Sequence, residues 1–256
     1  MTSTSIEWCA VPGYKPRSWN PTGWGCTCGC GYCYAHTFAV RFGNQFCLQL
    51  PTAEQIAMHG LDPLKSMCAN FFPHLHAERL DEPIRAKKPC AIFAGSMADF
   101  WDPNVPQEWR DLIWETCRQT PQHRYFVLTK QPQNITDELR VGFPNCIPEN
   151  VIAGFSCDGQ ESYDDRMGWW EDGRTLIVSI EPLLLPVSEL SLLGADDWVI
   201  VGAQSGPGAF VPPSEWVERI VEQGRQRQCA VFVKNSLRAM YPERDWPQEW
   251  LEGSVL

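Results

Sequence analysis

The sequence predicts an α/β protein, a partial TIM-like barrel of parallel strands with surrounding helices. Short runs of β-branched and aromatic residues recur along the chain without alternating polar residues, as in strands that are buried on both faces. Stretches with a helical spacing of apolar residues separate several of these runs. Each run ends in polar residues, which is where a parallel barrel carries its functional groups. We expect one domain over residues 1–256, because no repeat or low-complexity linker interrupts the chain.

Seven apolar runs are the predicted strands, and they span residues 6–8, 90–96, 124–130, 150–156, 175–181, 198–206 and 230–235. Residues 18–23 read instead as a turn, because they combine serine, asparagine, proline and glycine. Four stretches have helix-forming composition, and they span residues 34–42, 52–59, 107–119 and 213–226. Pro106 stands where the third of these helices begins, a position that proline favours.

Composition limits the class of protein. The net charge of -10 argues against non-specific binding of duplex nucleic acid over a broad surface, because such binding depends on neutralising phosphates. Residues 1–10 are polar and no run approaches the length of a membrane span, so we expect a cytoplasmic protein without membrane contact. Twelve tryptophans are mostly expected in the core. Scattered cysteines are expected to be buried small hydrophobic residues: Cys9, Cys47, Cys68, Cys90, Cys117, Cys146, Cys157 and Cys229.

Residues 23–35 form a glycine-rich loop in which Cys26, Cys30 and Cys33 have the spacing C-x3-C-x2-C. Tyr32 directly precedes the last thiol. Three thiolates on one short loop can hold three irons of a 4Fe-4S cluster, which leaves the fourth iron open to a substrate or cofactor. The glycines let the backbone wrap closely around such a cluster.

Cys28 supports a different interpretation, because it makes four thiols within eight residues. Four thiolates are enough for a structural zinc ion, which would make the protein a zinc-binding, non-catalytic module for nucleic acid or protein. Zinc ribbons, however, usually bring two cysteine pairs from separate turns. Disulfides would need an oxidising compartment, which nothing near the N-terminus indicates. An iron-sulfur electron carrier is a further alternative.

The cysteine loop resembles the signature of the radical S-adenosylmethionine superfamily, which has the same spacing and an aromatic residue before the last thiol. The resemblance implies a barrel of the radical S-adenosylmethionine type with Cys26, Cys30 and Cys33 as ligands of a 4Fe-4S cluster. It implies S-adenosylmethionine as the second cofactor, with Tyr32 near its adenine. An electron donor such as flavodoxin or ferredoxin would reduce the cluster.

Nearly the whole chain is similar to a family of uncharacterised radical-SAM-like proteins found largely in phages and prophages. The similar pieces are residues 6–8, 19–21, 30–35, 78–80, 95–100, 127–130, 181–183 and 198–208. Many members of that family space the first two cysteines farther apart, so this loop follows the wider superfamily. The phage context implies a nucleobase or modified nucleotide in DNA as the substrate, with an isomerase or lyase reaction in DNA hypermodification.

The superfamily resemblance also implies cofactor contacts at the ends of the predicted strands. The methionyl amino group would lie beside residues 95–99, and later strand ends would bind the carboxylate or ribose. The residues assigned to cofactor binding, besides Tyr32, are Gly95, Ser96, Asp99, Thr129, Ser156 and Gln204.

Lys130 and Glu181 are the expected catalytic residues, because a charged group that closes a buried strand is costly unless it is paired or used. Cys157 is a candidate hydrogen-atom donor, since its thiol closes a run beside Asp158. If DNA is the substrate, its binding is expected to depend on basic residues, namely Arg166, Arg174 and Lys234.

Overall fold

A computed structural model gives the fold, and it describes residues 1–46, 71–135, 146–170 and 174–251. One sheet contains eight strands in the order in which they occur along the chain. The strands are β1 (Thr2–Ser3), β2 (Lys15–Trp19), β3 (Cys90–Ala94), β4 (Arg124–Thr129), β5 (Val151–Cys157), β6 (Ile177–Ile180), β7 (Trp198–Val201) and β8 (Ala230–Val233). β1 is antiparallel to β2, and β2 to β8 are parallel.

Helices surround this sheet. They are α1 (Tyr34–Phe46), α2 (Glu82–Arg85), α3 (Gln107–Arg118), α4 (Gln160–Met167), α5 (Ser214–Arg227) and α6 (Asn235–Met240). The predicted helices at residues 34–42, 107–119 and 213–226 are confirmed within a few residues, and the one predicted at 52–59 lies outside the described residues. The protein is thus a mixed α/β protein with a mostly parallel sheet.

The sheet is open. Among the described residues no ladder joins β8 to β1 or β2, so the two ends of the sheet do not pair with each other. A closed TIM barrel is therefore not present in this structure. The parallel strands still follow one another in sequence order, so their carboxyl ends lie along one edge of the sheet.

The N-terminal part differs from the prediction. Residues 6–8 were expected to open a strand, but Glu7–Cys9 forms a 3-10 helix whose Trp8 ring packs 4.9 Å from Phe93 between ring centroids. The first parallel strand is β2, which covers part of the predicted turn at 18–23. Its sequence includes Lys15, Pro16 and Arg17, and most of its residues stay partly exposed. A strand with so little buried surface leaves no apolar run to recognise.

The sheet has two differently covered faces. The face that we term the inner face carries Phe126, Ile152 and Trp198 and packs against Trp8 and Leu251. The opposite face, here termed the helix face, packs against α3, α4 and α5. Because side chains alternate along a strand, the residue parity in each strand decides which face a side chain reaches.

The core contains most of the residues that the composition assigned to it. Five tryptophans are fully buried: Trp8, Trp19, Trp101, Trp114 and Trp198. Five scattered cysteines are buried as predicted: Cys9, Cys90, Cys117, Cys157 and Cys229. Cys146 is only half-buried, and Cys47 and Cys68 lie outside the described residues. In the part of the chain that the structure describes, no helix has the length and apolar character needed to span a bilayer.

Candidate functional site

The cysteine loop, residues 23–35, follows β2 and lies at the carboxyl edge of the sheet. The N–H of Gly25 donates to the carbonyl of Met97 at 3.2 Å, so that Gly25 forms a parallel bridge with Ala98 just beyond β3. A Cβ at Gly25 would come within 2.2 Å of the carbonyl carbon of Phe72. Only glycine therefore fits where the loop enters the fold.

The four cysteines of the loop are free, half-buried thiols. Cys30 Sγ lies 3.6 Å from Cys28 Sγ, and Cys26 Sγ accepts the N–H of Cys28 at 3.4 Å. Cys33 Sγ accepts the N–H of His36 at 3.3 Å, at the start of α1. Within the described residues, no three His, Cys, Asp or Glu side chains form a group that could hold a metal ion. The thiols are thus gathered on one loop but do not converge on one point.

The environment keeps these thiols protonated. The hydrogen bond with Cys28 and burial raise the pKa of Cys30, and the nearby charges of Lys130 and Arg166 offset part of that rise. The pKa of Cys28 is raised to about 11, first by its hydrogen bond with Cys26. Because metals bind the thiolate, metal binding at this loop would release protons.

Lys130 directly follows β4 and places an unpaired cation in the site. Its Nζ is shielded from solvent and has no hydrogen-bond partner among the described residues. The same Nζ lies 5.4 Å from the centroid of the Tyr32 ring, within the range of a cation–π contact. A shielded ammonium without an acceptor is unfavourable. Asp158 supplies negative charge in the site, and the ammonium helps to lower the pKa of that carboxyl.

Asp158, which follows β5, ties the cysteine loop to the sheet. Tyr32 Oη donates to Asp158 Oδ2 at 2.8 Å, and Ser162 Oγ donates to Asp158 Oδ1 at 2.7 Å. Burial alone would raise the pKa of Asp158, but these hydrogen bonds and the nearby cationic charges lower it overall. The guanidinium of Arg166 donates to the carbonyl of Ser156, which brings a second cation to this strand end. Ser156 itself is half-buried.

Glu181 and Lys234 form an ion pair across the end of β7. Glu181 follows β6, Lys234 follows β8, and Gly202 follows the strand between them. A Cβ at Gly202 would lie 2.9 Å from Lys234 Cδ and 3.1 Å from Glu181 Cδ, so the glycine leaves room for the pair. Together with Lys130, the pair places charged side chains directly after β4, β6 and β8 at the carboxyl edge of the sheet.

Asp99 and Thr129 form a buried link between β3 and β4. Thr129 Oγ1 lies 2.8 Å from both carboxylate oxygens of Asp99, which also accept the N–H groups of Trp101 at 3.0 Å and Lys130 at 2.9 Å. Burial raises the pKa of Asp99. Both side chains have protein partners, so their contacts do not support the predicted role in cofactor binding. They fix the strand end that carries Lys130.

Gly95 and Ser96 lie beside the cysteine loop. Gly95 has a φ of 77°, which favours glycine, and Ser96 Oγ lies 3.1 Å from Asn20 Nδ2. A cavity of about 530 Å³ is lined by Asn20, Tyr34 and Ser96 among others. Ser96 thus borders a cavity that Gly23, Trp24 and Tyr34 of the loop also line, whereas neither Asp99 nor any of the four loop cysteines lines it.

The structure gives Cys157 and Gln204 protein surroundings that their predicted roles did not anticipate. Cys157 lies on the helix face of β5, fully buried against the cluster that contains Tyr163, and burial raises its pKa to about 12. It faces away from the site because strand alternation gives the inner face to its neighbour Ser156. Gln204 Oε1 accepts the N–H of Phe210 at 3.1 Å and so stabilises its own loop.

Arg174, one of the basic residues on which DNA binding was expected to depend, lies far from the cysteine loop. It bonds the carbonyls of Ile147 and Pro148 at 2.9 and 3.4 Å, at the amino edge of the parallel strands and opposite the cysteine loop. Conversely, the prediction did not include Asp158 as a site residue. The signal was present, because Asp158 closes a buried strand as Lys130 does.

The structure therefore defines a mixed α/β protein with a thiol loop and two cations, Lys130 and Arg166, at the carboxyl edge of a parallel sheet. A family model matches residues 3–240, so the chain belongs to the family described as "Protein of unknown function (DUF5131)". No curated protein and no solved structure matches the chain.

Proposed function

We propose that this protein is a radical S-adenosylmethionine enzyme whose 4Fe-4S cluster is held by Cys26, Cys30 and Cys33. The observation that carries the proposal is the shielded, unpaired ammonium of Lys130 beside the cysteine loop. A cluster with three thiolate ligands and the carboxylate of S-adenosylmethionine both bring negative charge to this place. Either would supply the acceptor that Lys130 lacks among the described residues.

The donor set of the loop fits such a cluster. Its thiols are free and half-buried, and sulfur ligands are those that iron-sulfur clusters use. The loop carries a positive φ of 71° at Gly29, between Cys28 and Cys30, where a turn without side-chain strain is needed. Binding of iron would replace the present contact between Cys28 and Cys30.

When bound, the cluster supplies one electron to cleave S-adenosylmethionine into methionine and a 5'-deoxyadenosyl radical. In this proposal Lys130 binds the methionine carboxylate, and Tyr32 packs near the adenine while Asp158 holds its phenol in place. Ser96 and Ser156 lie at the ends of β3 and β5, on either side of the β4 end that carries Lys130, and bind further polar groups of the cofactor. Glu181 acts on the substrate side of the site.

We further infer that the sheet is a partial barrel of the radical S-adenosylmethionine type. The sequential order of seven parallel strands supports this, as does the single face on which α3, α4 and α5 pack. In such a barrel the inner face and the carboxyl edge enclose the site. Lys130 and Glu181 would then lie on the same side of the mouth, with the end of β5 between them.

For the substrate we propose a nucleobase or modified nucleotide, on which the protein acts as an isomerase or lyase. The net charge of -10 disfavours a long duplex footprint. A single extruded nucleotide needs only a few local cations. Arg166 and Lys234 lie at the carboxyl edge on the far side of Lys130 from β3, and either can supply positive charge to a phosphate.

The cofactor proposal is tested by anaerobic purification with iron, sulfide and zinc analysis, followed by an assay for 5'-deoxyadenosine after S-adenosylmethionine and a reductant are added. Reduced flavodoxin or ferredoxin serves as the donor in a second assay. We expect about four irons per chain and formation of 5'-deoxyadenosine. One zinc per chain, no iron and no cleavage would refute the proposal.

The substrate proposal is tested with two arginines that both donate to main-chain carbonyls but lie at opposite edges. Arg166→Gln should weaken the binding of a short single-stranded oligonucleotide and lower its salt dependence, and Arg174→Gln should change neither. Equal effects of the two substitutions, or none, would contradict a nucleotide at the carboxyl edge. The salt series is read by fluorescence anisotropy.

The second candidate is a zinc-binding, non-catalytic module for nucleic acid or protein. One observation favours it: Cys28 Sγ lies 3.6 Å from Cys30 Sγ and is thus available as a fourth thiolate. In this candidate function, the shielded ammonium of Lys130 lies beside a zinc site rich in thiolates. Lys130 then has no role in catalysis.

A further inference from the structure

A buried polar network lies directly behind Cys26 and connects the cysteine loop to the strand ends. Its centre is Asp102, which is 1% exposed. Asp102 Oδ2 accepts both the N–H and, at 2.7 Å, the hydroxyl of Thr27 in the loop. Asp102 Oδ1 accepts the N–H and the side-chain amide of Asn104 at 2.9 and 2.8 Å. Asn104 thus fixes one oxygen of the carboxylate, and the other oxygen binds the cysteine loop through Thr27.

Gln131 is the second member of the network. Its Nε2 lies 3.4 Å from Asp102 Oδ2 and 3.9 Å from Cys26 Sγ, so one amide group faces both the carboxylate and the thiol. The N–H of Gln131 donates to Thr129 Oγ1 at 2.9 Å, which fixes the backbone beside Lys130. Only 8% of Gln131 is exposed. The side-chain NH2 group of a buried glutamine in this position can donate one hydrogen bond to the carboxylate and one to the thiol.

We propose that Asp102 and Gln131 are positioning residues for Cys26, and that the amide of Gln131 donates an N–H···S hydrogen bond that sets the potential of the metal centre. The inference rests on the function proposed above. Hydrogen bonds to ligand sulfurs stabilise the reduced state of an iron-sulfur centre and so raise its potential. The rest of the network holds Cys26 in place whether or not a metal is bound.

The test compares Gln131→Met, which keeps the length of the side chain and removes the donor, with Gln226→Met as the matched control. Gln226 is exposed on α5, where it bonds Glu222. Thr27→Val is a milder second variant, since it removes one hydrogen bond to Asp102 and keeps the backbone bond.

Two readouts are independent of turnover. One is the midpoint potential of the reconstituted protein, and the other is the rate at which iodoacetamide labels Cys26 in the metal-free protein, read by peptide mass spectrometry.

We expect a more negative potential for Gln131→Met and an unchanged one for Gln226→Met. Labelling of Cys26 should be roughly fivefold slower in Gln131→Met, because iodoacetamide reacts with the thiolate and one hydrogen bond that stabilises it is lost. Labelling should be faster in Thr27→Val, which loosens the loop and keeps the amide donor. If wild type holds iron but Gln131→Met matches Gln226→Met in both readouts, the inference is wrong while the proposed function stands. If wild type binds no iron, the proposed function fails and this inference fails with it.

Discussion

Tyr32 donates its phenol hydrogen to Asp158 across 2.8 Å, although 126 residues separate the two in the chain. The bond joins the cysteine loop to the end of β5. It also places the Tyr32 ring under the ammonium of Lys130, at 5.4 Å. One hydrogen bond therefore positions both the loop and the aromatic partner of the unpaired cation.

Loss of this bond should loosen the loop. We expect Tyr32→Phe to lower the free energy of unfolding by about 1 kcal/mol, because the acceptor is an ionised carboxylate but the pair is only partly buried. The change is measured by urea denaturation. Tyr14→Phe is the control, since the Tyr14 hydroxyl has no hydrogen-bond partner among the residues described here. A Tyr32→Phe variant as stable as the control would show that the bond does not anchor the loop.

Lys130→Met should separate binding from stability. The metal-free variant should be more stable than wild type by on the order of 1 kcal/mol, because it lacks a shielded ammonium that has no hydrogen-bond partner in the described part of the chain. The reconstituted variant should bind S-adenosylmethionine at least about tenfold more weakly, because a charged hydrogen bond is lost. Thermal melts and isothermal titration give the two values.

Two control variants accompany the Lys130→Met measurements. Lys88→Met changes an exposed lysine and should alter neither quantity. Lys130→Arg keeps the charge and should retain part of the binding. If Lys130→Met binds S-adenosylmethionine as tightly as wild type, the carboxylate does not lie at this ammonium.

Cys28→Ala distinguishes the two candidate metals. A cluster on Cys26, Cys30 and Cys33 should keep about four irons in this variant, since Cys28 is not among its ligands. The matched Cys30→Ala variant should lose the iron. A zinc site of four thiolates would be damaged equally by both changes. Metal analysis after anaerobic purification decides the question, and equal loss in the two variants would favour zinc.

The sequence predicted the elements that are buried on both faces, and it could not predict the strand that is not. β3 to β8 are visible as apolar runs, whereas β2 is polar and partly exposed, so its last two residues were assigned to a turn and its first three to no element. The same limit applies to the site. Lys130 stands out because a charge closes a buried run, but the pairing of Tyr32 with Asp158 depends on how distant segments pack.

Face assignment is the other step that the sequence left undetermined. Ser156 and Cys157 both close β5, and only the packing of α4 shows that Cys157 reaches the helix face. Asp99 likewise closes a strand region, but its oxygens bond Thr129 and Lys130 N–H inside the protein. Once one inner-face residue such as Ile152 is known, the parity of each strand assigns the rest.

The ion pair between Glu181 and Lys234 should be energetically coupled. Lys234→Met alone leaves a partly buried carboxylate unpaired, so it should destabilise more than the double change Glu181→Gln with Lys234→Met. We expect a coupling free energy of about 1 kcal/mol in a double-mutant cycle measured by urea denaturation. Additive effects of the two substitutions would mean that the pair contributes no coupling. Gly202→Ala crowds both side chains, so its free energy of unfolding should be compared with that of Lys234→Met.

His123 should make stability depend on pH in the mildly acidic range. Its Nδ1 accepts the N–H of Cys90 at 3.2 Å and its Nε2–H donates to the carbonyl of Pro83 at 3.0 Å, so the fold holds the neutral ring, and burial lowers its pKa. The unfolded chain therefore takes up the proton first. Stability is complete above about pH 6.5 and falls as the pH drops below it, by up to about 1.4 kcal/mol per pH unit. His123→Gln offers the same acceptor and donor without a charge, so its urea midpoint should change less than that of wild type between pH 7 and 5. Parallel pH profiles for wild type and His123→Gln would exclude this histidine as the source.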